Sequence, residues 1–169
     1  MIKGGRGGAN TNKTGLEFEK QTSLSQALAS AGFEVVRDEI SQDGQPVGRL
    51  IEKNKLYLFL QEKDVDWRSI ISTRLLPDEA VYSLTGNSVT VVEKKWQEVS
   101  GSVDEKLQTC GFKLRQYNRL FAPLGVDVKY VYLLNDWFAH PRYADVLEYI
   151  RETGADYHFK TLPLELLDL

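Results

Sequence analysis

Asp78, Glu93 and Lys95 are the residues of this chain whose types and spacing point most directly to chemistry. Ala80 to Leu84 reads as a short strand, Thr85-Gly86-Asn87 as turn chemistry, and Ser88 to Lys95 as a second strand rich in Val. A turn centred near Gly86-Asn87 pairs the strands so that Asp78 falls opposite the segment Glu93 to Lys95. Side chains alternate faces along a strand, so Glu93 and Lys95 share one face and Lys94 takes the other. With Asp78 on their face, two carboxylates and an ammonium gather at one end of a hairpin. Neighbouring carboxylates repel, and a divalent cation relieves that repulsion. Hard oxygen donors suit Mg²⁺, which takes one or two carboxylates and completes its shell with water and phosphate. A plain surface hairpin ending in a Glu-Lys pair is the alternative.

Pro77-Asp78 followed by Glu93-Lys94-Lys95 stands as P-D-x14-E-K-K. This pattern, on a hairpin and at the end of an apolar strand, resembles the signature of the PD-(D/E)XK nucleases, the restriction-endonuclease-like superfamily. The run from Glu93 to Gln97, with Ser100 to Lys106 after it, is similar to small type II restriction enzymes. The resemblance implies a Mg²⁺-dependent DNA endonuclease, with Mn²⁺ as a substitute, that leaves a 5′-phosphate and a 3′-hydroxyl. In that reading Asp78 and Glu93 hold the metal and Lys95 steadies the attacking hydroxide or the charge on the transition state. Glu19, after Phe18 in the first helix, resembles the position from which such folds supply an extra metal-binding carboxylate; equally, it sits there to favour the positive end of a helix dipole. Gln97 keeps the face of Glu93 and Lys95 if the strand continues, and its carboxamide would orient water or phosphate; it is otherwise a polar strand end. Cutting both strands of a palindrome needs two sites, so double-stranded DNA and a homodimer are the expected partners, with a DNA methyltransferase in the same system. Rival readings are a repair, homing or phage-type nuclease of the same fold, or a non-catalytic DNA-binding or regulatory module.

Composition sets the limits. The chain has 169 residues, 42% hydrophobic and 27% charged, enough for one soluble domain with a sizeable core. A single cysteine, Cys110, excludes an internal disulfide and a cysteine-rich zinc site. With only His140 and His158, a His-rich metal site or an HNH-type nuclease site is poorly supported. No apolar run is long enough for a bilayer and no hydrophobic leader opens the chain, so a cytoplasmic protein without membrane contact is expected. The net charge of −3 is unusual for a nucleic-acid binder, but Lys94, Lys95, Lys106, Lys113, Arg115 and Arg119 concentrate positive charge in the middle of the chain.

The elements that must position the candidates follow from periodicity. Residues 1–14 read as a flexible Gly-rich basic arm, and 15–169 as one domain, which the resemblance makes a single PD-(D/E)XK nuclease domain. Arg6 and Lys13 in that arm would reach a DNA groove; a tail with no role is the alternative. Asn12 stands where a P-loop needs Gly, which excludes nucleotide binding there. Leu16 to Ala31 predicts one amphipathic helix closed by Gly32. Phe33 to Ile40, Gly48 to Glu52 and Leu56 to Leu60 predict strands, the last buried on both faces. Trp67, Ile70 and Ile71 form a possible helical turn, flanked by Arg68 and Arg74. Ser102 and Glu105 form a capping box for a helix to about Phe121, with Cys110 on its apolar stripe and Lys106, Lys113 and Gln116 on a face that would track DNA phosphates. Val126 to Leu134 is a strand, parallel to the one carrying Glu93 through the intervening helix. A helix from about Arg142 to Thr153, an edge strand at Tyr157 to Phe159 and an apolar tail complete the chain. The fold class expected is α/β: a restriction-endonuclease-like core with a central mixed β-sheet flanked by α-helices.

Overall fold

The computed structural model describes residues 8–99 and 103–169. Among them, seven strands form one sheet in the order β1 to β7. β1 (Glu34–Val36), β2 (Glu39–Gln42), β3 (Gln45–Ile51), β4 (Glu79–Ser83) and β5 (Ser88–Lys95) run as an antiparallel meander. β6 (Asp127–Leu134) and β7 (Asp156–Phe159) then add in parallel. The β5–β6 crossover passes through α4 (Val103–Leu107) and α5 (Cys110–Phe121), and the β6–β7 crossover through α6 (Ala144–Glu152). This is the expected mixed sheet with helices against it.

Two apolar clusters sandwich the sheet, and strand alternation decides which residue joins which. Val89, Val91, Tyr130, Tyr132 and Leu134 face α5, α6 and α3 (Lys55–Glu62). Val81, Val92, Val131 and Leu133 face α2 (Leu24–Ser30) and the C-terminal segment, whose Leu162 and Leu167 are buried. The apolar tail therefore packs on the domain.

Several predicted elements differ, each for a physical reason. Leu56 to Leu60 is helical, not a strand: Leu56, Tyr57, Phe59 and Leu60 are buried while Leu58 is 61% exposed, an amphipathic pattern that an unbroken apolar run conceals. The expected strand Phe33 to Ile40 folds back on itself at Arg37 and Asp38, with Arg37 at φ 58°. The next hairpin turns on Asp43 and Gly44, both left-handed, as a two-residue turn demands.

The predicted helix Leu16 to Ala31 is two helices, α1 (Gly8–Gln21) and α2. The break at Thr22-Ser23 has a distant cause: the Glu79 carboxylate accepts hydrogen bonds from Leu24 N at 3.2 and 3.3 Å, capping α2 from the sheet. Since α1 begins at Gly8, residues 8–14 of the expected arm are helical; residues 1–7 lie outside the described residues. The helix expected from Ser102 to Phe121 is interrupted at Gln108-Thr109, and Ser102 also lies outside the described residues.

Candidate active site

The β4–β5 register pairs Glu79 with Val92, which leaves Asp78 level with Glu93, one step beyond the ladder. Asp78 Oδ2 accepts a hydrogen bond from Lys94 N at 2.8 Å and so closes the open end of the hairpin. Glu93 and Lys95 project from β5 to the same face, among the tyrosines under α5. Lys95 Nζ donates to Glu93 Oε2 at 2.9 Å and to the Lys94 carbonyl at 3.1 Å, and lies 3.8 Å from Asp78 Oδ2. The structure thus brings together Asp78, Glu93 and Lys95, as the hairpin register requires.

A fourth group enters from α5. Lys113 Nζ lies 3.2 Å from Glu93 Oε1, so each oxygen of one buried carboxylate faces its own ammonium. Sequence spacing set Lys113 beside Lys106 on one helix face. The break at Gln108-Thr109 separates them: Lys106 is exposed on α4, and Lys113 turns in towards β5. Gln116 is half-buried on α5 and accepts a hydrogen bond from Arg119.

Electrostatics follow from burial. Burial pulls the Lys95 ammonium down, but Glu93 and then Asp78 more than reverse this, and its pKa stands above the ordinary lysine value. Burial, with Glu93 next, pushes Tyr117 and Tyr130 far above the ordinary phenol value. The site therefore carries a charged lysine and neutral phenols against two carboxylates.

The other parity of the same strand ends builds a second, separate cluster. Glu79 and Lys94 meet at 2.6 Å on the opposite face of the sheet, with side chains 6% and 4% exposed. Glu79 also caps α2, and Lys94 Nζ donates to the Glu19 carbonyl at 3.3 Å. Burial raises the Glu79 pKa despite Lys94. This corrects the expectation for Glu19: its side chain is exposed, and its backbone attaches to the face away from Glu93 and Lys95. Accordingly, the described residues hold no group of three or more His, Cys, Asp or Glu placed to ligate a metal. The Glu79–Lys94 pair escaped the sequence reading, although alternation carries the signal: Asp78-Glu79 and Glu93-Lys94 each send one residue to either face.

Gln97 is buried, as its parity suggested, but its amide is engaged elsewhere. Gln97 N donates to Asn135 Oδ1 at 3.2 Å, and Gln97 Nε2 donates to Asp104 Oδ1 at 3.0 Å. Gln97 Oε1 has no partner among the described residues. Asp104 also accepts from the Tyr143 hydroxyl at 2.8 Å and from Arg142 at 3.1 Å. Gln97 therefore anchors the end of β5 to α4 and does not bond to Glu93 or Lys95. Arg6 lies outside the described residues, and so does the side chain of Lys13.

Residues 10–111 match the family model of the PD-(D/E)XK nuclease superfamily domain. The chain belongs to the PD-(D/E)XK nuclease superfamily. Pro77-Asp78 and Glu93-Lys94-Lys95 both lie inside the matched span, and Lys113 lies beyond it. No curated protein and no solved structure matches the chain. PD-(D/E)XK nucleases generally use divalent metal ions, and the donor chemistry here fits one. Three oxygens, from Glu93, Asp78 and the Lys94 carbonyl, converge around the Lys95 ammonium, and all are hard donors. The same chain has no helix among the described residues long and apolar enough to cross a membrane.

Proposed function

We propose that the chain is a Mg²⁺-dependent endonuclease that hydrolyses phosphodiester bonds in double-stranded DNA, of the sequence-specific type II restriction kind. The observation that carries this reading is the convergence of the Glu93 carboxylate, the Asp78 carboxylate and the Lys94 carbonyl on Lys95 Nζ. Asp78, Glu93 and the Lys94 carbonyl would hold the cation. A bound divalent cation supplies Lewis acidity at the scissile phosphate and a lowered pKa for its water.

The chain's own side chains do the rest. Lys95 remains an ammonium because Glu93 and Asp78 hold its proton, so it brings a fixed positive charge to the negative charge that builds on the phosphate. Lys113 adds a second positive charge on the α5 side of Glu93. Burial of Glu93 at 4% exposure keeps bulk water from screening these charges. Hydroxide adds to phosphorus and the bond to the 3′-oxygen breaks, which gives a 5′-phosphate and, after protonation, a 3′-hydroxyl. Two such sites in a homodimer would cut both strands of a palindrome, and a companion DNA methyltransferase would protect the host site.

The experiment is cleavage of a long, sequence-diverse linear DNA by purified protein, with Mg²⁺ and with EDTA. Discrete Mg²⁺-dependent bands are expected, and they disappear in Asp78→Asn, Glu93→Gln and Lys95→Met. A Mg²⁺-dependent smear keeps the nuclease and removes the restriction assignment. Absence of cutting of unmodified, nicked and branched DNA with any divalent metal overturns the catalytic reading.

A further inference from the structure

Away from the catalytic cluster, the segment leading to Asp78 builds a second cationic feature. A cleft of about 680 Å³ is lined by α3 and by the turn around Trp67, with Tyr57, Trp67, Arg68 and Arg74 in its walls. Tyr57 and Trp67 meet edge to face, ring centroids 4.9 Å apart. The Arg74 guanidinium lies 4.8 Å from the Tyr57 ring and 5.1 Å from the Trp67 ring, and that of Arg68 lies 4.7 Å from Trp67. Both arginines are exposed, and neither is in an ion pair among the described residues. Asp64 and Asp66 also line the cleft, but Asp66 spends a carboxylate oxygen on the backbone N–H of Arg68 at 3.3 Å.

Stacked guanidiniums without carboxylate partners are ordered, weakly hydrated donors, and phosphate is the anion their planar fork fits best. The platform is also tied to the segment that leads into β4 and to α5. The Tyr57 hydroxyl accepts from Leu75 N at 2.6 Å and donates to Leu75 O at 2.9 Å, and Arg119 of α5 donates to Ile70 O at 2.5 Å. Arg74 stands four residues before Asp78, so their Cα atoms lie within about 14 Å. A strand bound at Asp78 would therefore present to the arginines a phosphate within a few nucleotides of the one at the site.

We propose that Arg68 and Arg74, stacked on Trp67 and Tyr57, form a clamp for one backbone phosphate of the nucleic-acid substrate, away from the bond that is cut. The clamp rests on the nuclease reading but uses no residue of the catalytic cluster. It sets the register of the strand and reads no base.

The test is duplex DNA binding against salt concentration in an Asp78→Asn background, with and without Arg68→Met and Arg74→Met, alongside cleavage by the same pair of substitutions in the wild-type background. The double substitution is expected to lower the slope of log K against log salt by about 0.9, the loss of one phosphate contact. Affinity falls alike on every sequence tried, and the Arg68→Lys, Arg74→Lys pair restores the slope because it restores charge. Thermal melts confirm folding, since both side chains are exposed. An unchanged slope, with wild-type protein still cutting DNA, overturns the clamp alone. Failure of the wild-type protein to bind or cut nucleic acid overturns the clamp together with the reading beneath it.

Discussion

Lys113 reaches from α5 to Glu93 of β5 and places its ammonium 3.2 Å from Glu93 Oε1, while Lys95 occupies the other oxygen at 2.9 Å. Two ammoniums neutralise one buried carboxylate without a cation, and both border the carboxylate that would hold a cation in the proposed mechanism. Lys113→Met is therefore expected to reduce cleavage by about 10²-fold, the usual effect of losing one aimed charge in a water-poor site. Glu93 keeps Lys95, so folding should survive. Single-turnover cleavage alongside a thermal melt checks this. Wild-type rates would reduce Lys113 to a counter-ion.

Glu79 and Lys94 have the composition of a catalytic pair but the wrong parity. They lie on the opposite face of the sheet from Glu93, both nearly inaccessible, and Glu79 also caps α2. Glu79→Ala strands a buried ammonium and uncaps the helix, at a cost of about 3–5 kcal/mol. In a chain of this size that lowers Tm on the order of 10 °C. The paired change Glu79→Gln, Lys94→Met removes both charges and is expected to recover much of the loss. Calorimetry on the single and paired variants checks it, and cleavage per folded molecule should hardly change.

The hairpin that carries Asp78, Glu93 and Lys95 was legible because only two local rules were needed. The loop Leu84 to Asn87, centred on Thr85-Gly86 and so one residue before the expected Gly86-Asn87 centre, sets Asp78 level with Glu93, and the two-residue period assigns Asp78, Glu93 and Lys95 to one face. What failed depended on contacts distant in sequence. Leu56 to Leu60 carries no period of its own, and its helical state shows only in the exposure of Leu58 once the sheet is in place. Glu19 was placed by analogy with a first helix, but α1 meets the sheet through Lys94 and ends where Glu79 caps the next helix. Lys113 was read as tracking DNA phosphates from a face shared with Lys106, but that pairing assumed a continuous helix, which breaks at Gln108-Thr109. Helix placement is tertiary information, and strand parity is not.

Asp104 collects the groups that hold the far end of β5. Gln97 Nε2, the Tyr143 hydroxyl and Arg142 all donate to it, and Trp137 Nε1 donates to the same Tyr143 hydroxyl at 2.5 Å. Asp104→Ala is expected to cost on the order of 2 kcal/mol, because the buried Gln97 amide loses its acceptor. Gln97→Leu should destabilise to a similar degree and slow cleavage no more than Asp104→Ala does. A Gln97→Leu variant that folds normally but cuts far more slowly than Asp104→Ala would return Gln97 to direct work on water or phosphate. Urea unfolding and single-turnover rates on both variants separate the outcomes.

The C-terminal segment is held by a carboxylate, which makes its attachment acid-sensitive. Asp168 Oδ2 accepts from Lys129 Nζ and from Ser88 Oγ, each at 2.6 Å, and the Asp168 carbonyl accepts from Ser83 and Thr85. Lys129 first, and then Ser88, hold the Asp168 carboxyl below its ordinary value of 3.8. A lowered folded-state pKa means that the unfolded chain takes up the proton more readily. The stabilisation is therefore complete above the ordinary value and is lost as pH falls through the lower, folded one. Asp168→Asn is expected to lower Tm at neutral pH and to bring no further loss in strong acid, so the two melting curves converge as pH drops. Gly86 supplies an independent check on the same contact. A Cβ there would meet Asp168 Cβ at 2.3 Å, so Gly86→Ala should loosen the tail at neutral pH as well. Hydrogen exchange at the Leu166 amide, which donates to the Pro163 carbonyl at 3.2 Å, reads the release. Equal protection in Asp168→Asn and wild type at neutral pH would show that the apolar side chains alone hold the segment.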